Sequence, residues 1–320
     1  MGTFPLTQGV GNTPLLDVAG VLVKLECVNR TGSVKDRIAV AILQESRRLG
    51  LLKEGQPIVE ATSGNTGIAM AFFGREFGHP VTIVMPENMT EERKERIRSL
   101  GAELVLCSVE GSFAEAAAIR DRLAEERGWF NPDQFSNPLN TACHRETTGK
   151  ELLSQAGRPI NAFVAGVGTG GTLIGVGEAL REANQDTLIA AVEPAESAVM
   201  SGGEPGPHAI FGIGDGFIPA IASDGQGGLH PMIGRVIVVS SAEAIRGAET
   251  LREEHGLCVG ISSGANFVAA KRLQEEFDVV ATVFADGYEK YESHGLCAAE
   301  PGRCIFEGIC ATRKAEMLTH

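Results

Sequence analysis

The sequence predicts an α/β protein of two domains, each with a mainly parallel sheet flanked by helices. Apolar runs of strand length alternate with helical patterns along most of the 320 residues. Forty glycines and only 5% aromatic residues suit tight turns between strands and helices. Parallel strands need a crossover that is usually a helix, so the alternation favours parallel pairing.

The alternation also gives each element a predicted range. Strands are predicted at 21–27, 57–61, 81–85, 103–107, 162–165, 188–192, 235–239 and 279–284. Helices are predicted at 36–49, 65–77, 90–100, 112–127, 171–183 and 265–276, with one more opening at Ser240 or Ser241 and a cap supported by Glu243. The Gly- and Pro-rich segment 201–231 breaks this rhythm and predicts a long irregular loop that serves a site.

The chain is long enough, at 43% apolar residues, to bury two ordinary cores. A boundary near residues 141–151 divides the strands into two comparable groups, which predicts an N-terminal α/β domain over 1–147 and a C-terminal α/β domain over 148–320. Residues of roughly 13–35 can pack with the second domain.

Charge and cysteine content exclude several classes of function. A net charge of −13 disfavours nucleic acid, whose phosphates would meet a repulsive field. The chain has neither an apolar run of membrane-span length nor a signal segment, so we expect a soluble, cytoplasmic protein. Seven scattered cysteines without a CxxC pair disfavour disulfides and predict no metal site, and scattered thiols are favoured over a metal or redox role for Cys297, Cys304 and Cys310.

Four polar segments each follow a predicted strand and open a helix, where ligands of parallel α/β proteins gather. The first places Lys35 near a helix start. The positive end of a helix favours a neutral amine, which a nucleophilic lysine needs, although a solvated lysine beside Asp36 explains the segment equally well. The second, residues 62–67, has six small or polar residues, more than capping needs, and so favours binding of a carboxylate or phosphate.

The other two segments are rich in glycine and hydroxyls. Residues 166–171 formally contain GxGxxG, and Glu193 follows near the end of the next strand, as in a dinucleotide-binding enzyme. Thr169 and Thr172 instead suit a terminal phosphate. Residues 260–264 read, by themselves, as a capped helix start.

Ordered motifs along nearly the whole chain carry a family resemblance. Besides the four turns they are GNTPL at 11–15, MPENMTEER at 85–93, LGAEL at 100–104, QFSNP at 134–138, TTG at 147–149 and GIGDGFIP at 212–219. With these motifs the chain resembles the cysteine synthase (O-acetylserine sulfhydrylase) family of fold-type II pyridoxal phosphate enzymes. It departs from the family at 286–291, where DGYEKY replaces the common DSGERY.

The resemblance implies a role for each matching residue. Lys35 would be the Schiff-base lysine, Asn65 would bond the ring oxygen of pyridoxal 5'-phosphate, and Ser262, next to Ser263, would face the pyridine nitrogen. The cofactor phosphate would lie on Gly168, Thr169, Gly170, Gly171 and Thr172. The substrate would be held by Thr62, Ser63, Gly64, Thr66, Gln134 and Gly214.

The resemblance further implies a β-replacement that begins as a lyase-like elimination and makes L-cysteine from O-acetyl-L-serine and sulfide. The segment 201–231 contains no Lys or Arg, which favours an acetyl over a phosphate leaving group. A homodimer is implied, and serine acetyltransferase is a possible partner. The alternatives are O-phosphoserine or thiosulfate as substrates, a cystathionine β-synthase-like enzyme, a non-catalytic partner of serine acetyltransferase, and the nicotinamide-dependent oxidoreductase suggested by GxGxxG.

Overall fold

The computed structural model describes residues 6–62, 64–89, 91–110 and 112–291. The chain forms two compact units. The larger unit comprises residues 6–34 and 135–291, and the smaller unit comprises residues 35–134, within the described parts. The smaller unit is thus an insertion in the chain of the larger one.

Parallel pairing dominates both sheets. The strands are β1 Leu15–Val18, β2 Val21–Leu25, β3 Ile58–Ala61, β4 Val81–Pro86, β5 Glu103–Cys107, β6 Ala162–Gly166, β7 Leu188–Pro194, β8 Arg235–Val239 and β9 Val280–Phe284. The sheet of the larger unit has the order β1-β2-β9-β6-β7-β8, and that of the smaller unit has the order β3-β4-β5. The pair β1 and β2 is antiparallel, while the other pairs are parallel. The predicted fold class is confirmed.

Helices cover both faces of the larger sheet. The helices are α1 Lys35–Arg48, α2 Asn65–Glu76, α3 Glu91–Ser99, α4 Ser112–Arg127, α5 Pro138–His144, α6 Lys150–Ala156, α7 Gly171–Ala183, α8 Ser241–His255 and α9 Ile261–Leu273. A π-helical segment, Arg145–Gly149, joins α5 to α6. One apolar cluster packs α8 and α9 on the sheet, and a second packs α6 and α7.

The core of the smaller unit follows the alternation of its strands. Val59 and Ala61 of β3 and Val84 of β4 pack against α4. Ile83 faces the other way, towards α2, where a Cβ on Gly67 would lie 3.4 Å from its Cγ2. Successive residues of a strand point to opposite faces, so this short sheet is buried on both sides.

Most predicted elements occur with small shifts, and four of them, 103–107, 112–127, 171–183 and 235–239, have the predicted bounds. Ser240 caps α8, and Glu243 completes the capping box. The strand predicted at 21–27 ends at Leu25, and a 3₁₀ turn follows.

The helix predicted to begin at residue 265 begins at Ile261, because the GISSG turn is its first turn. Gly264 allows the first turn of α9 to pack closely against α8, since a Cβ at this position would be 2.1 Å from the Ala244 carbonyl oxygen in α8. No helix of the described residues is long and apolar enough to cross a membrane.

Candidate active site

Lys35 is the first residue of α1, with Asp36 in the same turn. Asp36 and Arg37 are fully buried, whereas Lys35 is partly exposed. The two preceding residues are fixed within the larger unit, since the Val34 amide donates to the Ala285 carbonyl at 2.8 Å and Ser33 forms a β-bridge with Asp286. The predicted Schiff-base lysine therefore lies at a helix start, and backbone hydrogen bonds hold the two residues that lead into this helix.

The turn between β3 and α2 contains most of the predicted substrate residues. Thr62 and Thr66 are buried, and Gly64 and Asn65 are partly exposed. Gly64 is the N-cap of α2 and has no side chain with which to cap it. The first amides of α2 thus lie at a positive helix end that suits an anion. Ser63, the remaining predicted residue of this turn, lies outside the described residues.

Gln134 is brought to this turn by a segment that runs beside β3. Phe130 bridges Ile58, its amide donates to the Pro57 carbonyl at 2.8 Å, and its carbonyl accepts from the Val59 amide at 2.9 Å. Thr66 Oγ1 then donates to Gln134 Oε1 at 2.6 Å, and both side chains are buried. Two predicted substrate residues that are 68 positions apart in the chain are therefore in direct contact.

The glycine-rich turn between β6 and α7 is closely packed by backbone. A Cβ on Gly168 would lie 2.3 Å from the Gly212 carbonyl oxygen, and Gly170 has a φ of +87°. Gly170 is also the N-cap of α7 and has no side chain to cap it. Thr169 Oγ1 accepts from the Gly171 amide at 3.3 Å. These features leave the positive end of a long helix beside a turn that only glycine can form.

Two side chains of the neighbouring helix hold this turn. Asn140 Nδ2 donates to Thr169 Oγ1 at 2.9 Å, and the Nε2 atom of His144 is hydrogen bonded to the Thr172 hydroxyl at 3.2 Å. His144 is fixed from its other side by Thr148, at 2.9 Å from Nδ1. Both predicted phosphate threonines are thus oriented by buried residues of α5 that the sequence did not single out.

Ser262 and Ser263 lie in the first turn of α9. Neither caps the helix, whose N-cap is Gly260 without a side-chain hydrogen bond. Ser262 is 5% exposed, whereas Ser263 is fully buried and its hydroxyl has no hydrogen-bond partner within the described part of the chain. A buried hydroxyl without a partner is costly, so a polar ligand atom would stabilise this turn.

Gly214 holds the start of the glycine-rich turn. Its amide donates to the Val167 carbonyl at 3.1 Å, and its own carbonyl accepts from His208 Nε2 at 2.9 Å. The Nδ1 atom of His208 accepts from the Ile210 amide, which leaves the ring proton on Nε2. Both ring nitrogens of His208 are therefore hydrogen bonded to the backbone of its own loop.

Glu193, the acid that a dinucleotide site would use, has a structural role. Its carboxylate is 1% exposed and accepts from the Met200 amide at 2.7 Å and from the Ser201 hydroxyl. Cys27, Cys107, Cys143 and Cys258 are buried. The described residues contain no group of side chains that could hold a metal ion, and Cys297, Cys304 and Cys310 lie outside them.

Comparison with known proteins identifies the family of this chain. The family described as pyridoxal-phosphate dependent enzyme matches residues 6–286. The chain belongs to this family. It is 44% identical over 305 residues to a cysteine synthase of Staphylococcus aureus, which covers 91% of this chain and 96% of the relative. The resemblance to the cysteine synthase family is therefore confirmed.

Solved structures of pyridoxal-phosphate dependent enzymes share the fold. A cysteine synthase from Entamoeba histolytica has a TM-score of 0.84 and 34% identity, over 98% of this chain and 94% of that one. An O-acetylserine dependent cystathionine β-synthase from Helicobacter pylori has a TM-score of 0.83 and 33% identity, over 92% and 98%. Similar folds thus belong to enzymes that are named for different products.

Pyridoxal phosphate is accordingly the cofactor of this chain. The residues present fit it in two respects that the structure itself provides. The serine pair 262 and 263 includes a buried hydroxyl, that of Ser263, without a partner among the described residues, and α7 begins after Gly170 with no side-chain cap. Both suit a ligand that brings a polar ring atom and a phosphate.

Proposed function

We propose that this protein makes L-cysteine from O-acetyl-L-serine and sulfide by a pyridoxal-phosphate dependent β-replacement. The polar turn before α2 carries the proposal, because it puts uncapped helix amides beside the hydrogen-bonded side chains of Thr66 and Gln134. Such a site binds the carboxylate of an amino acid. The name of the Staphylococcus aureus relative points to the same reaction.

The proposal assigns the cofactor to residues of four turns. Lys35 is the lysine that carries it, and Asn65 donates to its ring oxygen. Its phosphate is held by Gly168, Thr169, Gly170, Gly171 and Thr172, and its ring nitrogen is met by Ser262. Thr62, Ser63, Gly64, Thr66, Gln134 and Gly214 bind the substrate. The order of these residues in the family motifs, together with the helix starts at which most of them lie, supports the assignment.

Bound pyridoxal phosphate withdraws electrons from the substrate Cα and makes its proton acidic. The Nζ atom of Lys35 is the general base that removes this proton. The turn at 62–66 binds the carboxylate and so orients the substrate. A serine hydroxyl at the ring nitrogen does not enforce protonation there as a carboxylate would, which favours elimination at Cβ over transamination.

The acetyl donor is supported by the loop that contains Gly214. A phosphate leaving group would need a cationic partner once it is removed from water. Segment 201–231 has no Lys or Arg, and His208 is fixed by the backbone on both sides of its ring. A neutral ester suits this loop better than a dianion.

One further candidate function differs only in the acceptor. The Helicobacter pylori neighbour is named as an O-acetylserine dependent cystathionine β-synthase. A larger thiol would then replace sulfide at the same carbon. We further propose that the protein works in the cytoplasm as a homodimer and that serine acetyltransferase is its partner, as the resemblance to the cysteine synthase family implies.

The test compares donors and acceptors in one assay with the purified holoprotein. We expect cysteine from O-acetylserine and sulfide, with a higher kcat/KM than for O-phosphoserine with sulfide or for O-acetylserine with homocysteine. Thiosulfate is the third acceptor to compare. A higher kcat/KM for O-phosphoserine would overturn the donor, and one for homocysteine would overturn the acceptor.

A further inference from the structure

A carboxylic acid is buried in the strand that leads to the substrate turn. Glu60 lies in β3, between Val59 and Ala61, and it is fully buried. The three other residues of this strand are apolar and equally buried. A charged side chain at such a place is costly unless it has a purpose that an apolar residue cannot serve.

The hydrogen bonds of Glu60 connect β3 to the segment beside it. Its Oε1 atom accepts from the Ala61 amide at 3.0 Å, and the backbone amide of Gln134 donates to the carboxyl group. Its Oε2 atom has no hydrogen-bond partner within the described residues. The carboxyl group therefore fixes one backbone amide at the end of the strand and another at the substrate residue Gln134.

The cation nearest to Glu60 does not hold it tightly. Arg120 Nη1 lies 3.7 Å from Glu60 Oε1 and 3.6 Å from Asp133 Oδ1. The close contacts of Arg120 go instead to Asp121, at 2.8 Å and 2.9 Å. The guanidinium is thus shared among three carboxylates, and Glu60 keeps its lone pairs for backbone amides.

The contacts continue to the two residues that are proposed to bind the substrate carboxylate. The amide of Gln134 is bonded to Glu60, while its side-chain oxygen accepts from Thr66 at 2.6 Å. The position of the Gln134 backbone therefore determines where the Thr66 hydroxyl is held. The side chains of Glu60, Gln134 and Thr66 are buried, so bulk water does not compete for these hydrogen bonds.

We propose that Glu60 is a positioning residue for the substrate carboxylate, acting through the Gln134 amide on the side chains of Gln134 and Thr66. The inference rests on the proposed function, which assigns Thr66 and Gln134 to that carboxylate. Glu60 does not touch the substrate, and its effect is on binding and not on proton removal.

Protonation gives this role a pH dependence. The pKa of Glu60 is raised to about 7, mainly by burial and to a lesser extent by Asp133, while Arg120 and the amides of Ala61 and Gln134 oppose the rise. An ionised carboxylate binds an amide more strongly than a neutral acid does. Substrate binding should therefore tighten as the pH rises through about 7.

The test measures KM and kcat for O-acetylserine across this range in the wild type and in Glu60→Gln. At about pH 8 we expect the variant to have a KM roughly tenfold higher and a kcat within about twofold of the wild type. At about pH 6 the two KM values should converge, because the side chain at this position is then neutral in both proteins. Glu54→Gln, an exposed change of the same charge in the same unit, should match the wild type at each pH.

Arg120→Gln provides a second variant, because Arg120 lowers the pKa of Glu60. We expect the KM transition to move to higher pH in this variant. An unchanged KM in Glu60→Gln at about pH 8, or the same KM transition in Glu60→Gln as in the wild type, would overturn the role. If Glu60→Gln does not fold, the wild type alone decides: a wild-type KM that does not change as the pH rises through about 7 would overturn the role.

The dissociation constant of L-serine, read from the visible absorption of the bound cofactor, separates this inference from the proposed function. In the wild type this dissociation constant should fall as the pH rises through about 7, and in Glu60→Gln it should not. Both results are expected even if no cysteine is formed. Absence of cysteine in the wild type would refute the proposed function, whereas identical L-serine binding in both proteins would refute the role of Glu60.

Discussion

Replacement of Glu60 by glutamine is expected to stabilise the protein at alkaline pH and to have less effect at acid pH. The folded-state pKa of Glu60 is raised from 4.5 to about 7, mainly by burial. Ionisation is thus harder in the folded than in the unfolded chain, and the wild type loses stability as the pH rises from the unfolded to the folded pKa. The glutamine side chain of the variant has no proton to lose and escapes this cost.

The size of the effect follows from the same shift. A rise from 4.5 to about 7 is roughly 2.5 units, and at about 1.4 kcal/mol per unit it amounts to about 3.5 kcal/mol well above the folded pKa. Part of this cost is already present at about pH 5, because the unfolded carboxyl is then mostly ionised. The gain of Glu60→Gln over the wild type should therefore grow by roughly 2.5 kcal/mol between about pH 5 and pH 8.5.

Urea denaturation at both pH values measures this difference, provided that the slope of unfolding free energy against urea stays the same in the two proteins. Glu54→Gln is the control, because Glu54 is exposed and the change should leave the pH dependence as in the wild type. A difference between Glu60→Gln and the wild type that stays constant with pH, or that grows towards acid pH, would refute the reasoning.

Three more substitutions test the turns. Gly171→Ala would put a Cβ 1.9 Å from Asn140 Oδ1, so we expect a loss of about 1–3 kcal/mol in unfolding free energy; an unchanged urea midpoint would contradict the packing. The proposed function assigns the ring nitrogen to Ser262, so Ser263→Ala should leave the visible spectrum of the bound cofactor unchanged; a shifted spectrum would instead assign the nitrogen to the buried Ser263 hydroxyl, which has no partner among the described residues. Thr66→Val should raise KM for O-acetylserine by roughly tenfold, and an unchanged KM would remove this residue from the substrate site.

The elements that were predicted best are those whose signals are local. The capping box of Ser240 and Glu243 marks the start of α8 in sequence, and apolar periodicity gives α4 and α7 their bounds. The start of α9 was wrong because glycine and serine suggest a loop, whereas Gly264 lies inside a helix to allow close contact with α8. That reason is tertiary and leaves no mark on local sequence.

The site shows the same division between local and distant signals. Turns rich in glycine and hydroxyls could be found because they follow strands, and motif resemblance gave roles to Lys35 and Asn65. Asn140 and His144 were missed, since their importance depends on how α5 packs against α7. Glu60 left one signal that could have been used, a charged residue in the middle of an apolar strand.

The most direct test of the proposed function is the rate of cysteine formation from O-acetylserine and sulfide by the wild type, Lys35→Ala and Lys53→Ala. Lys53 is an exposed lysine of the same unit and serves as the matched control. We expect Lys35→Ala to lose at least about 10³-fold in kcat while Lys53→Ala stays within about twofold of the wild type. Cysteine formation by folded Lys35→Ala at the wild-type rate would contradict the assignment of Lys35 and the mechanism derived from it.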